Sequence, residues 1–177
     1  MKYVVGENYL CMYAVIETIL KDIGIKKYDQ YKLANYFGVT LPENYNIKGV
    51  ENIKISNSSF EFGSHIDSKQ LNRFFDEENI SLTSNYLTSN PYGEYPNATY
   101  IKKQRYIIFQ YSYGSLYNES QNYSVGHSSL LIDNVKQGMI KIYDPGPRDF
   151  GEKSISEARM LDAIYDNRGG IFIICRK

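Results

Sequence analysis

The chain of 177 residues is long enough for one domain with its own core, and 42% hydrophobic with 23% charged residues excludes a disordered chain. Lysine plus arginine number 20, as do aspartate plus glutamate, so no net field draws the chain to nucleic acid or to acidic lipid. The 18 tyrosines, beside no tryptophan and abundant Asn, Ile and Lys, fit compositional drift better than a purpose-built aromatic cleft.

The opening "MKYVV" resembles a signal peptide only briefly. Glu7 and Asn8 interrupt the apolar run, and no small-residue cleavage site follows. No apolar run is long enough to span a bilayer, so no membrane partner is expected and a cytoplasmic location is. The two cysteines, Cys11 and Cys175, are expected as free thiols of a reducing compartment.

Leu10, Ala14, Val15, Ile19 and Ile23 recur at helical spacing and predict a helix over 9–23, with Gly24 as its stop. A second, shorter helix fits "DQYKLANYFGV", capped by Asp29 and ended by Gly38. Residues 42–63 are rich in Asn, Ser and Gly and read as an irregular connection. "HIDSKQLNRFFDEEN" predicts a third helix, capped by Asp67 or Ser68, with Leu71, Phe74 and Phe75 as its buried stripe. "ISLTSNYL" reads as a strand, and "SNPYGEYPNAT", with two prolines and a glycine, as loop. "IKKQR" is too short a basic cluster for a binding patch and reads as a solvated strand end. "RYIIFQYSY" is β-branched and aromatic, hence strand. "HSSLLIDNV" and "GMIKIYDP", split by "KQG", predict a hairpin. "SISEARMLDAIY" predicts a helix with a capping box between Ser154 and Glu157, and "GGIFIICRK" a closing strand. Helices first and an antiparallel sheet after them make an α+β arrangement in a single domain, 1–177.

Cys11 stands where the first helix begins. It is either a small apolar residue of a core helix or a thiolate aimed by a helix N-terminus. A nucleophilic cysteine needs a base, and the chain offers only His65 and His127. His65 precedes a helix whose dipole disfavours imidazolium, and reads as a surface or capping residue. His127 opens a strand behind Gly126, and Asp144 ends the next strand before Pro145. In a hairpin the start of one strand lies beside the end of the next, so Asp144 can hold the imidazole of His127. Each residue alone has an ordinary structural reading; their order together points to a catalytic Cys11–His127–Asp144 set. Cys11, His65, His127 and Cys175 show no paired metal spacing, and no phosphate loop or dinucleotide fingerprint occurs, so neither a metal nor a cofactor is expected.

The order Cys on the first helix, Gly-His opening a strand and Asp-Pro ending the next resembles the papain-like cysteine peptidases. Within these, the bacteriocin-processing (double-glycine) peptidases and their stand-alone relatives are most similar, and the N-terminal domain of the butirosin-type acyltransferases shares the layout. "YDQYKLANYFGVTLP" and "RGGIFIICRK" resemble the matching segments of those families. The likeness covers most of the chain outside roughly 42–64 and 85–104. It implies a papain-like fold, a helical half carrying Cys11 and a sheet half carrying His127 and Asp144. It also implies a peptide or acyl substrate and a thioester intermediate. Hydrolysis is the first reading, acyl transfer the second, and a catalytically inactive binding or regulatory domain the third. One departure stands out: the family's oxyanion-hole glutamine is replaced by Val5. Asn8 is the remaining side-chain candidate, with the Cys11 backbone N–H, whereas an ionised Glu7 would repel an oxyanion.

Overall fold

The computed structural model describes residues 1–88, 105–119, 125–135, 138–147 and 150–177. The prolines and glycine predicted as loop over 89–99, the "IKKQ" of the basic cluster and the two residues 136–137 of the hairpin turn lie outside these residues.

Five helices occur among the described residues: α1 (Cys11–Asp22), α2 (Gln30–Phe37), α3 (Ser68–Glu77), the single turn α4 (Tyr113–Tyr117) and α5 (Glu157–Asp166). The strands are β1 (Val39–Pro42), β2 (Ile53–Ser56), β3 (Leu82–Thr88), β4 (Arg105–Ser112), β5 (Gly126–Val135), β6 (Met139–Asp144), β7 (Gly151–Ser156) and β8 (Gly170–Arg176). Six of them form an antiparallel sheet in the order β3-β8-β4-β5-β6-β7.

Both faces of that sheet are covered, and strand alternation decides which residues face which layer. Ile108, Leu130, Tyr143, Phe172 and Ile174 join the core beneath α1, α2 and α3. Ile107, Phe109, Tyr111, Ile142 and Ile171 face the opposite way and pack with Met160, Ala163 and Ile164 of α5. Helix α1 is the central element of the first layer: every residue from Met12 to Leu20 is buried. Its one buried carboxylate, Glu17, accepts the Gln30 backbone N–H at 2.7 Å and pairs with Lys21 at 2.5 Å. The α2 start is thereby fastened to α1.

The predicted caps hold for α2 and α3. Asp29 accepts from Lys32 N, and Asp67 forms a reciprocal capping box with Gln70, each contributing about 1 kcal/mol. Three expectations change. The segment 42–63 is not wholly irregular: β1 and β2 pair in parallel, and Thr40 bridges Gly63 through two backbone bonds of 2.8 and 3.0 Å. The capping box at Ser154 does not form, because "GEKSIS" pairs along β6 as strand β7 and Ser156 caps α5 instead. The strand "RYIIFQYSY" ends one residue early, where Ser112 caps the short helix α4.

Candidate active site

The chain reaches Cys11 through a tightly fastened segment. Val4 N–H donates to Thr18 Oγ1 at 3.1 Å, and the Val4 carbonyl accepts from the Tyr143 hydroxyl. Gln30, buried between α1 and this segment, receives Glu7 N–H on Oε1 (2.8 Å) and donates Nε2 to the Val5 carbonyl (2.9 Å). Gly6 N–H donates to the Pro145 carbonyl at 2.8 Å. A Cβ on Gly6 would stand 3.3 Å from Ala14 and 3.4 Å from Pro145, so the close approach suits glycine. A turn follows, closed by Leu10 N–H on the Glu7 carbonyl (3.0 Å), with Tyr9 in the left-handed region at φ 67. That left-handed residue is why α1 begins at Cys11 and not at Tyr9. The helix has no side-chain N-cap; its first N–H groups point toward the cleft end of Cys11.

His127 lies in β5, paired with Tyr111 of β4, and is 9% exposed. The rings of Tyr111 and Tyr113 meet it edge-on at 5.5 and 5.3 Å. Its Nε2 bonds Asp144 Oδ1 at 2.8 Å. The imidazole lies near enough to Cys11 for each to shift the other's ionisation; its Nδ1 is the ring nitrogen not taken by Asp144. Asp144 is wholly buried at the end of β6. Its Oδ1 accepts a second bond from Gly146 N–H (2.9 Å), and its Oδ2 accepts from the Tyr117 hydroxyl (2.5 Å). The structure thus brings Cys11, His127 and Asp144 together, with His127 bonded to Asp144 and electrostatically coupled to Cys11.

The electrostatics follow from that grouping. Burial pushes the Cys11 thiol up, but the neighbouring imidazolium and the N–H and hydroxyl of Ser128 outweigh it and hold the thiol below its ordinary value. Burial pulls His127 down, yet the thiolate and Asp144 together raise it to about 10. Burial raises Asp144, and its bonds from His127, Tyr117 and Gly146 bring it below the ordinary carboxylate value. A thiolate–imidazolium pair is the form this arrangement favours.

A cleft of about 590 Å³ opens over the pair. Cys11, half-buried, lies in its floor, and His127, Gly126 and Ser128 line it too. Asn8 also lines the cleft; its Nδ2 donates one hydrogen to the Tyr45 hydroxyl at 2.9 Å, and its second amide hydrogen has no partner among the described residues. Val5 is 52% exposed and is not among the lining residues. A glutamine at position 5 would therefore not face the cleft without a change of backbone, whereas Asn8 does. His65 sits exposed on the rim, bound through Nε2 to the Glu61 carbonyl at 2.7 Å, away from the His127 chain. Cys175 lies half-buried in β8. Its surroundings are less enclosing than the run "IFIIC" suggests.

Two groups of the site escaped sequence reasoning. Tyr117 sits on a one-turn helix that no periodicity announces, and Ser128 carried no signal beyond following the histidine. Among the described residues, no group of three or more His, Cys, Asp or Glu side chains is placed to hold a metal, and no helix is long and apolar enough to cross a membrane.

The fold has a relative among solved structures. A crystal structure from Bacillus anthracis, provisionally described as a C39-like peptidase, superposes with a TM-score of 0.65 at 14% identity, over 99% of this chain and 94% of that one. The likeness is one of fold, and the chain has the C39 peptidase-like α+β architecture. No protein-family model matches the sequence, and no curated protein is significantly similar to it.

Proposed function

We propose that the chain is a cysteine peptidase-like hydrolase that works through a thioester on Cys11. The observation that carries this reading is Cys11 beside His127 in one cleft, with His127 bonded in turn to the buried Asp144. In this scheme the Cys11 thiolate attacks a substrate carbonyl carbon. The carbonyl π electrons move to oxygen, and the oxyanion accepts from the Cys11 backbone N–H and the second amide hydrogen of Asn8. The imidazolium of His127 gives its Nδ1 proton to the leaving amine as the C–N bond breaks, leaving a thioester. Water then attacks the thioester, giving a proton back to His127, and the thiolate departs. Asp144 keeps the imidazole in the tautomer and orientation both steps need.

The test is acyl-enzyme trapping. Incubation with an activated ester, followed by acid quench and intact-mass measurement, should show one acyl group on wild type and none on Cys11→Ala. Peptide mapping should place it on Cys11 and leave Cys175 unmodified. Decay of the trapped species in water with no acceleration by added amines is the hydrolase outcome. Faster decay with an amine acceptor would instead make the chain an acyltransferase. No acyl group on wild type would leave the third reading, a binding domain of the same fold.

A further inference from the structure

The cleft has a chemical asymmetry that the acyl-transfer scheme does not use. Among the described residues its walls hold no aspartate and no glutamate. The one carboxylate of the site, Asp144, is sealed beneath His127. The walls do hold a permanent cation, Arg168, whose side chain has no ion pair or hydrogen bond among the described residues. Asp166, two positions earlier, is bound by the Ser115 hydroxyl and is not a lining residue.

Arg168 occupies an unusual backbone position. Helix α5 ends in a Schellman turn: Gly169 N–H donates to the Ile164 carbonyl and Arg168 N–H to the Tyr165 carbonyl, both at 2.9 Å. The left-handed place in that turn ordinarily goes to glycine, yet Arg168 holds it at φ 48 while glycines stand next to it at 169 and 170. The negative end of the helix accounts for a cation nearby, but a lysine or arginine inside the last turn would serve that purpose without left-handed backbone. The turn is rigid: a Cβ on Gly169 would stand 2.0 Å from the Gln110 carbonyl oxygen, so β4 and the turn are pressed together. The neighbouring Asn167 amide lies 3.5 Å from where a Cβ on Gly126 would be, which puts the turn on the His127 side of the cleft. His127 protonates the leaving group in the scheme above, so this is the leaving-group side. Phe62, whose ring meets that of Tyr9 edge-on at 5.9 Å, and the exposed Phe60 also line the cleft.

We infer that the cleft is built for substrates carrying a carboxylate on the leaving-group side of the scissile bond, received by Arg168 with Asn167. This rests on the hydrolase reading for its sense of direction. The carboxylate belongs either to a free C-terminus close to the scissile bond or to an acidic side chain in the same place. A cation with no partner among the described residues, in walls that hold no described carboxylate, accepts such a group with little competition.

Binding to Cys11→Ala protein tests the inference without chemistry. Three fluorescent peptides share a phenylalanine-containing acyl half. One ends in a free carboxylate, one in a carboxamide, and one in a carboxamide after an aspartate. At low salt, at least one acidic peptide should bind about tenfold more tightly than the neutral one. Which of the two does so identifies the source of the carboxylate. Arg168→Ala on the Cys11→Ala background should abolish the preference and leave neutral-peptide binding unchanged; Arg168→Lys should keep part of it. Equal affinity for all three, a preference surviving Arg168→Ala, or no binding of either acidic peptide at millimolar concentration would overturn the inference. The outcomes separate from those of the acyl-enzyme test. A carboxylate preference without a trapped acyl group sinks only the hydrolase reading. A trapped acyl group without the preference sinks only the carboxylate site.

Discussion

The proposed nucleophile and its proposed base are held in place by opposite means. On the sheet side, His127 and Asp144 belong to neighbouring strands of one hairpin, and backbone register does the positioning. On the helix side, Cys11 begins a helix without a side-chain cap, and its approach is fastened by residues far away in sequence: Thr18, Gln30, Tyr143 and Pro145. A ladder of backbone bonds survives most side-chain changes, whereas a set of side-chain clasps fails one clasp at a time. The catalytic geometry is therefore expected to be stiff on the His127 wall and vulnerable on the Cys11 wall.

The strongest break removes the base itself. His127→Ala should lower acyl-enzyme formation about 10³-fold and move the pH profile of Cys11 alkylation upward, toward the ordinary thiol value of about 8.5. Identical alkylation profiles for wild type and His127→Ala would mean that the two residues do not form a functional pair. Asp144→Asn should follow with a loss of about 10²-fold. That is less than the ~10⁴ lost by a serine triad, because Cys11 is ionised before it attacks. The alkylation profile should move less than in His127→Ala, since Asp144 mainly orients the ring.

Gln30→Ala sharpens the contrast between the walls. It removes both clasps on the Val5–Glu7 segment and leaves two backbone groups to find other partners, at a cost of about 1–3 kcal/mol in denaturant unfolding. Acyl-enzyme formation should fall about tenfold, while amide exchange in β5 and β6 stays as in wild type. Loss of protection in β5 and β6 equal to that around Cys11 would contradict the idea of independent walls. Tyr117→Phe is the matching change on the sheet side. It deletes one of three bonds to Asp144 and should lower turnover by about three- to tenfold with KM unchanged. The alkaline limb of the rate profile should shift, and a purely structural role for Tyr117 would leave that limb where it is.

The smallest expected effect is on stability against pH. His127 is raised from 6.5 to about 10, so alone its contribution is full below 6.5 and lost as pH rises through about 10. Cys11 is lowered from 9.0, so alone its contribution is full above 9.0 and lost as pH falls through its folded value. Just below 9.0, where folded Cys11 is ionised, the folded pair binds one proton, on imidazole, and the unfolded pair also binds one, on sulfur. The difference in unfolding free energy between wild type and Cys11→Ala/His127→Ala should thus be flat just below pH 9.0 and decline as pH rises from 9.0 through about 10. Absence of the decline above pH 9.0 would show that folding does not make the pair hold its proton more tightly than the unfolded chain does.

Much of this molecule is legible along the chain, and the reason is local. Asp29, Asp67 and the apolar spacing of α1 act within a turn or two of helix. Hairpin register acts between adjacent strands, which is why His127 and Asp144 could be paired on paper. Failures arise where two local rules compete or where contact is distant. At 151–156 strand pairing with β6 overrode a plausible capping box. The parallel β1–β2 pair, four residues a strand, is too short to show a period.

By itself, then, the sequence determined which side chains the proposed chemistry would use: a cysteine at a helix start, one histidine opening a strand and one aspartate closing the next. Only the tertiary structure decided what surrounds them. The left-handed turn at Tyr9 puts Asn8 in the cleft and leaves Val5 outside it, the close press of Gly169 on β4 sets Arg168 in the wall, and a one-turn helix brings Tyr117 to Asp144. Those placements depend on backbone torsions and on contacts across 27 or more residues, as between Tyr117 and Asp144, and neither leaves a periodic trace in the order of amino acids.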